Sequence, residues 1–319
     1  MRRLWFGFVF AVFLIALAQV GAAPPASAAA PEGGAPKVLA LESFLADLVQ
    51  NIMGDRGRVG TLIPVGADPH GFEPAPSDVR KISDSDVLVI NGAGFEEFLG
   101  HLMKNVRDRH RIIVASAGIA GRKTQGGEHA PESSEGKSGE RSVVDPHFWL
   151  SPVNAIRYAE NIRDGLSLAD PEGAPVYAAN TEALIERLKA LDEWIARETA
   201  KIPPERRLLL TNHDSLGYFA DRYGFTIIGT IIPGFSTEAS PSAFHLALLI
   251  DAIKKTGAKA IFLETTGSNP HLAEQIGKET GARVVTELYT ESLSGPDGPA
   301  ATYIDMLKYD TKAMVDALE

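Results

Sequence analysis

Three histidines stand where this chain has the means to stage chemistry. His70 lies in the turn-rich stretch Val65-Gly66-Ala67-Asp68-Pro69-His70-Gly71-Phe72-Glu73-Pro74, with a helix-start signal just beyond at Ser77-Asp78. A second Asp-Pro-His stands at Asp145-Pro146-His147, and His213 follows the apolar run Leu208–Leu210. Proline fixes its own φ and biases the residue before it to extended geometry, so the first two imidazoles are presented from stiff loops. Imidazole is the commonest metal ligand, and a nearby aspartate can accept the proton of the ring nitrogen that does not ligate. The three histidines, together with a carboxylate from near the C-terminus, read as one metal site. Their spacing along the chain is far too wide for a zinc finger, so a fold must bring them together.

The elements that would do this are legible as an alternation. Val38–Leu41, Val59–Pro64, Val87–Ile90 and Ile112–Ala115 read as strands, separated by helical spacing over Phe44–Met53, Ser77–Ser83 and Phe95–Val106. The pattern repeats later. Leu208–Leu210, Thr226–Ile231, Ala260–Leu263 and Val284-Val285 alternate with helices over Leu216–Tyr223, Ser242–Thr256 and Pro270–Thr280, and Tyr303–Leu318 closes the chain as a helix. Strands alternating with helices indicate parallel sheets with helices on their faces. Between the two halves, Ser151-Pro152 opens a helix to about Leu168, and Val176–Lys201 is a long amphipathic run stopped by Pro203-Pro204. The expected fold is α/β: two lobes, each a parallel sheet flanked by helices, joined by one long helix. Residues 29–170 form the first lobe, 171–203 the connector and 204–319 the second lobe. Ligands of open parallel sheets sit at the carboxyl ends of strands, and each histidine falls where a strand gives way to a helix. The metal site therefore belongs in the cleft between the lobes.

Composition narrows the setting. The chain begins Met1-Arg2-Arg3, runs apolar from Leu4 to Val20 and ends in Ala26-Ser27-Ala28. A basic start, an apolar middle and a small-residue end describe a secretory signal peptide over residues 1–28. The apolar stretch is shorter than the roughly 20 residues of a membrane span. The 319 residues include no cysteine, which excludes disulfides, thiolate metal sites and a lipid-modified cysteine after the signal. Loss of the signal removes two arginines and no acids, taking the net charge from −10 to −12. Such a surface argues against nucleic acid or anionic lipid as a partner. Residues 29–36 should be a flexible start to the mature chain. Residues 121–143, polar and glycine-rich, read as a mobile surface loop that carries His129 and several glutamates.

These motifs together resemble the zinc/manganese-binding solute-binding proteins of metal ABC importers, the cluster A-I metal-binding family. The resemblance is carried by Gly66–Asp78, Val87–Gly92, Asp145-Pro146-His147-Phe148-Trp149-Leu150-Ser151-Pro152, Asn212-His213-Asp214-Ser215-Leu216-Gly217-Tyr218-Phe219 and Leu288-Tyr289-Thr290-Glu291-Ser292-Leu293. It covers roughly residues 36–318. It implies four ligands, His70, His147, His213 and Glu291, the last at a position where many relatives carry Asp. The resemblance further implies a monomeric protein that captures Zn²⁺ outside the inner membrane, in the periplasm, and delivers it to a cognate ABC permease. A histidine at the third position points to zinc rather than manganese, and imidazole suits Zn while carboxylate and water suit Mn. A manganese or iron carrier is the near alternative.

Two other readings stand beside this one. A zinc hydrolase would need an open coordination position and a general base, for which Glu73 or Asp214 would serve. A metal-dependent adhesin or chaperone-like binder would share the fold. Glu264, at the end of a strand on the cleft side, is a candidate spare or outer carboxylate. Trp149 and Phe219 are expected to pack the walls of the site, and His101, His110, His245 and His271 to lie away from it.

Overall fold

A computed structural model describes residues 34–103, 110–122 and 144–319. The signal segment and nearly all of the 121–143 stretch, with His129, lie outside the described residues. In the first half, β1 (Val38–Ala40), β2 (Val59–Thr61), β3 (Val87–Ile90) and β4 (Arg111–Val114) form a wholly parallel sheet in the order β2-β1-β3-β4. Their crossovers carry α1 (Ser43–Met53), α2 (Pro76–Ser83) and α3 (Glu97–Met103). In the second half, β5 (Leu208–Thr211), β6 (Thr226–Thr230), β7 (Ala260–Glu264) and β8 (Arg283–Leu288) repeat the arrangement as β6-β5-β7-β8, again parallel. Here α6 (Gly217–Tyr223), α7 (Ala243–Thr256) and α8 (Pro270–Thr280) make the crossovers. The molecule is thus α/β, with two parallel four-stranded sheets flanked by helices. The inner strands β3 and β7 are buried almost throughout, as expected of parallel strands covered on both faces.

Between the sheets come α4 (Pro152–Ala169) and α5 (Ala174–Thr199). Pro152 sits in the first turn of α4, where its missing N–H costs nothing. On α5 the buried residues Tyr177, Thr181, Leu184, Leu188, Leu191, Ile195 and Thr199 recur every three or four positions, giving one apolar stripe. That stripe packs on α1, α4, α6 and α9 (Tyr303–Leu318), so one helix of roughly 39 Å touches both halves. Truncating Leu188, fully buried on this face, would cost about 2–5 kcal/mol. The turn entering α5 is fixed by Asp170, whose carboxylate accepts from Arg56 Nε (2.7 Å), Arg56 Nη2 (2.9 Å) and Tyr177 Oη (2.6 Å).

Helix α9 is the second tie. It packs on α5 and α1 and on the edge of the second sheet at β8. Tyr303 N–H donates to Asp47 of α1 at 3.0 Å. One hydrophobic core consequently runs from Val38 of β1 to Leu318 of α9 and takes in both sheets. Smaller clusters fill the outer faces, one under α7 and α8 and one under α2 and α3.

The elements differ from the sequence expectation mainly at their ends. Helix α2 begins at Pro76 with Ala75 as its cap residue, not Ser77, and the side chain of Asp78 closes the end by accepting from Ala75 N–H at 3.0 Å. Strand β8 is longer than Val284-Val285 suggested. It is an edge strand with much of its length exposed, so its apolar signal is short.

Candidate metal centre

All four sequence-predicted site residues meet in one place. One ligand atom from each of His70, His147, His213 and Glu291 can be chosen so that all lie within 4.8 Å of one another. His70 belongs to the loop after β2, His147 to the segment following β4, His213 to the loop after β5 and Glu291 to the loop after β8. His70, His213 and Glu291 follow the carboxyl ends of parallel strands, as the topology of open α/β sheets favours, while His147 stands just ahead of α4. His147, His213 and Glu291 are buried, and the His70 side chain is only 6% exposed.

The three rings present the same nitrogen. Glu291 Oε1 lies 2.8 Å from His70 Nε2, 3.1 Å from His213 Nε2 and 3.5 Å from His147 Nε2, and the last two nitrogens are 3.2 Å apart. A tetrahedral zinc with arms of roughly 2.0–2.1 Å has ligand-to-ligand edges of about 3.3 Å. The four separations, 2.8 to 3.5 Å, bracket that edge, so the donor set has the size to hold a divalent cation.

Outer contacts fix each ring. Asp145 Oδ1 accepts from His147 Nδ1–H (2.8 Å) and from the His147 backbone N–H (3.0 Å), which leaves Nε2 as the ligand atom. His213 Nδ1 faces Glu264 Oε2 at 2.9 Å, an ion-pair distance without hydrogen-bond alignment. The other oxygen of Glu264 is held by Ser215 Oγ at 2.8 Å. Glu264 thus stands behind His213 rather than in the centre. Thr266 Oγ1 donates to Glu291 Oε2 at 3.3 Å. The sequence expectation fails at Asp68, whose Oδ1 accepts from the His70 backbone N–H at 2.9 Å and not from the ring. Its second oxygen is engaged by Thr237 at 2.7 Å.

The walls are partly aromatic. Trp149 packs with its ring centroid 5.2 Å from that of His147, and its indole N–H donates to Thr290 O at 2.6 Å, tying the second ligand's loop to the fourth's. Phe219, by contrast, packs on Tyr223 and Phe225 inside its own lobe. The aromatic residue at that wall is Phe95, 4.9 Å from His70 and 5.9 Å from His147, centroid to centroid. No motif marked Phe95, because its role depends on a contact the sequence does not encode locally. His245 Nε2–H donates to Thr230 O (2.8 Å) and His271 is exposed on α8. The side chain of His101 lies outside the described residues. The two bases considered for hydrolysis are placed otherwise. Glu73 is exposed, and Asp214 Oδ1 lies 3.9 Å from Arg122, which also approaches Asp145 (3.7 Å) and Asp221 (3.0 Å).

Electrostatics follow from this crowding. Burial disfavours charge on His147, but its contacts with Asp145 and Glu291 outweigh that and raise its pKa. Burial likewise opposes a charge on His213, and the carboxylates of Glu264 and Glu291 push it well above the ordinary imidazole range. Burial alone would raise Glu291, yet the imidazoles around it hold it well below the usual carboxylate range. Charge on Glu291 and charge on the His147 and His213 rings thus favour one another.

Residues 38–317 match the sequence model of the zinc-uptake complex component A family, periplasmic. The chain belongs to that family. It is 33% identical over 319 residues to the manganese-binding lipoprotein MntA of Halalkalibacterium halodurans, covering 100% of this chain and 99% of that one. It is 32% identical over 271 residues to the iron-binding protein YfeA of Yersinia pestis, covering 85% and 82%. Among solved structures, the periplasmic zinc-binding protein TroA of Treponema pallidum superposes with a TM-score of 0.77 at 25% identity, covering 89% of this chain and 99% of that one. The protein is accordingly a substrate-binding protein of a metal ABC transporter, not an enzyme. Proteins of this kind bind a metal ion and work with a membrane permease. Among the described residues no helix is long and apolar enough to cross a membrane.

Proposed function

We propose that this protein captures Zn²⁺ outside the inner membrane, as a periplasmic monomer, and hands it to its ABC permease. In this reading His70, His147, His213 and Glu291 are the ligands. The observation that carries it is the convergence of three Nε2 atoms on one oxygen of Glu291, at 2.8, 3.5 and 3.1 Å. Three neutral imidazoles and one carboxylate complete a tetrahedral zinc shell and leave no position for substrate water. A closed shell of this type suits carriage. The imidazole majority favours zinc over manganese, whose preferred donors are carboxylate and water.

The relatives named above favour a second reading, since they are described as binding manganese, iron or zinc. The deciding experiment is a competition titration of the metal-stripped protein against a chelating indicator, with Zn²⁺ and Mn²⁺. Tight binding of one Zn²⁺ that excess Mn²⁺ does not displace is the expected result. Comparable binding of Mn²⁺ would replace the zinc reading with the manganese one. Because α5 and α9 brace both lobes, transfer involves local movement of loops more than hinge closure of whole domains.

A further inference from the structure

We propose that residues 233–240 form the gate of the metal centre, and that the hydrogen bond from Thr237 to Asp68 is its latch. The inference rests on the reading that the metal is held by His70, His147, His213 and Glu291.

Residues 233–240 leave the second sheet just after β6 and run from the loop of His213 to the loop of His70. Their base is fixed beside a ligand, where Asp214 N–H donates to Gly234 O at 3.0 Å. Gly234 has φ 94°, a conformation that lets the chain turn sharply out of that anchor. Phe235 follows and turns inward, its ring centroid 6.2 Å from that of His147. Thr237 then reaches the opposite lobe. Its hydroxyl donates to Asp68 Oδ2 at 2.7 Å, while Asp68 Oδ1 accepts from the His70 backbone N–H at 2.9 Å. One carboxylate therefore joins the loop that presents the first histidine to the segment that covers the centre. Beyond the latch, Glu238, Ala239 and Ser240 are exposed.

Close packing shows that the contact is built. A Cβ on Gly267 would lie 2.4 Å from Asp68 Oδ2 and 2.7 Å from Thr237 Cγ2, and one on Gly71 would lie 2.7 Å from Glu238 Oε1. The first approach needs glycine, since Gly267 also has φ 58°, whereas at Gly71 the exposed Glu238 side chain can move aside. The described hydrogen bonds of Asp68 include none to an imidazole, so its part differs from that of Asp145. Asp145 orients a ring, whereas Asp68 joins a ligand loop to a cover. Thr237 is a positioning residue, acting on passage of the metal through Asp68.

The test uses Thr237→Val, which keeps the shape and removes the donor, and Thr237→Ser, which keeps the donor. Zn²⁺ uptake and chelator-driven release are followed by stopped-flow mixing. A lost hydrogen bond to a charged acceptor should speed release in Thr237→Val by roughly tenfold or more. Uptake should quicken too, so that the Kd changes less than the release rate, and Thr237→Ser should behave as wild type. Release at the wild-type rate in Thr237→Val overturns the proposal. So does faster release with unchanged uptake, which would assign Thr237 to ligand geometry instead of passage. Failure of the wild-type protein to bind Zn²⁺ would remove the site reading itself, and this is seen before any variant is compared.

Discussion

Asp145 Oδ1 accepts two hydrogen bonds from one residue, the ring Nδ1–H and the backbone N–H of His147. The same oxygen thus fixes the tautomer of the ligand and the turn that presents it. Replacement by Asn can keep both bonds but loses the charge that makes the imidazole a stronger donor. Asp145→Asn is expected to weaken zinc binding by about 10–100-fold, the usual cost of losing an outer partner of a ligating histidine. Competition titration of folded variant and wild type would check it, and an unchanged Kd would remove Asp145 from the account.

His213 and His271 separate ligand from bystander. His213 is fully buried with Nε2 facing Glu291, while His271 is exposed on α8. His213→Ala should weaken zinc binding by more than the roughly 100-fold upper figure for an outer partner. His271→Ala should leave it unchanged. Equal losses from both would undo the assignment of the centre.

Acid should empty the site. Their carboxylate neighbours raise the pKa values of His147 and His213, so an incoming cation competes with protons for these rings. Affinity therefore falls as pH falls, and binding near neutral pH releases protons. Isothermal titration in buffers of different ionisation heats would count them. A buffer-independent heat would mean that the rings are already neutral.

The Arg56–Asp170–Tyr177 cluster gives a separate handle on stability. Its hydrogen bonds, chiefly those from Arg56, lower Asp170 to a pKa of about 2. A depressed folded-state pKa adds stability above the unfolded value of about 3.9, and this is lost as pH falls toward the folded value. Asp170→Asn should thus be less stable than wild type to urea at pH 7, and the gap should shrink near pH 2.5. A gap of constant size would show that the charge is not what stabilises the turn into α5.

His70 and His213 were legible because each lies between a strand and a helix, and His147 because its Asp-Pro-His repeats the first motif just ahead of a helix. That is local information. Glu291 carries no such mark, and only likeness to a family singles it out. The fold class was readable for a related reason: β3 and β7 are continuous apolar runs and α5 keeps a clean stripe over its whole length. What escaped were contacts between distant parts of the chain. Phe95 against His70, or Thr237 on Asp68 at 169 residues' separation, follows from how two sheets face each other, not from any neighbouring pattern. The mistaken expectation for Asp68 has the same root. Its motif matches that of Asp145, but a partner from the other lobe claims the oxygen.

The core that begins at Val38 is completed by Leu318. The first sheet is complete by β4, yet Asp47, Trp149 and the stripe on α5 must wait for α9 before their partners arrive. Half-emerged, the protein exposes what it will later bury, and it is then that it most needs shelter from aggregation. The binding site shares this delay. Its fourth ligand sits on the loop that Trp149 grips, and Trp149 O is itself held by the Tyr303 hydroxyl at the head of the final helix. The loop of the fourth ligand therefore gains its support only once α9 is in place, so the site is among the last parts of the fold to be completed.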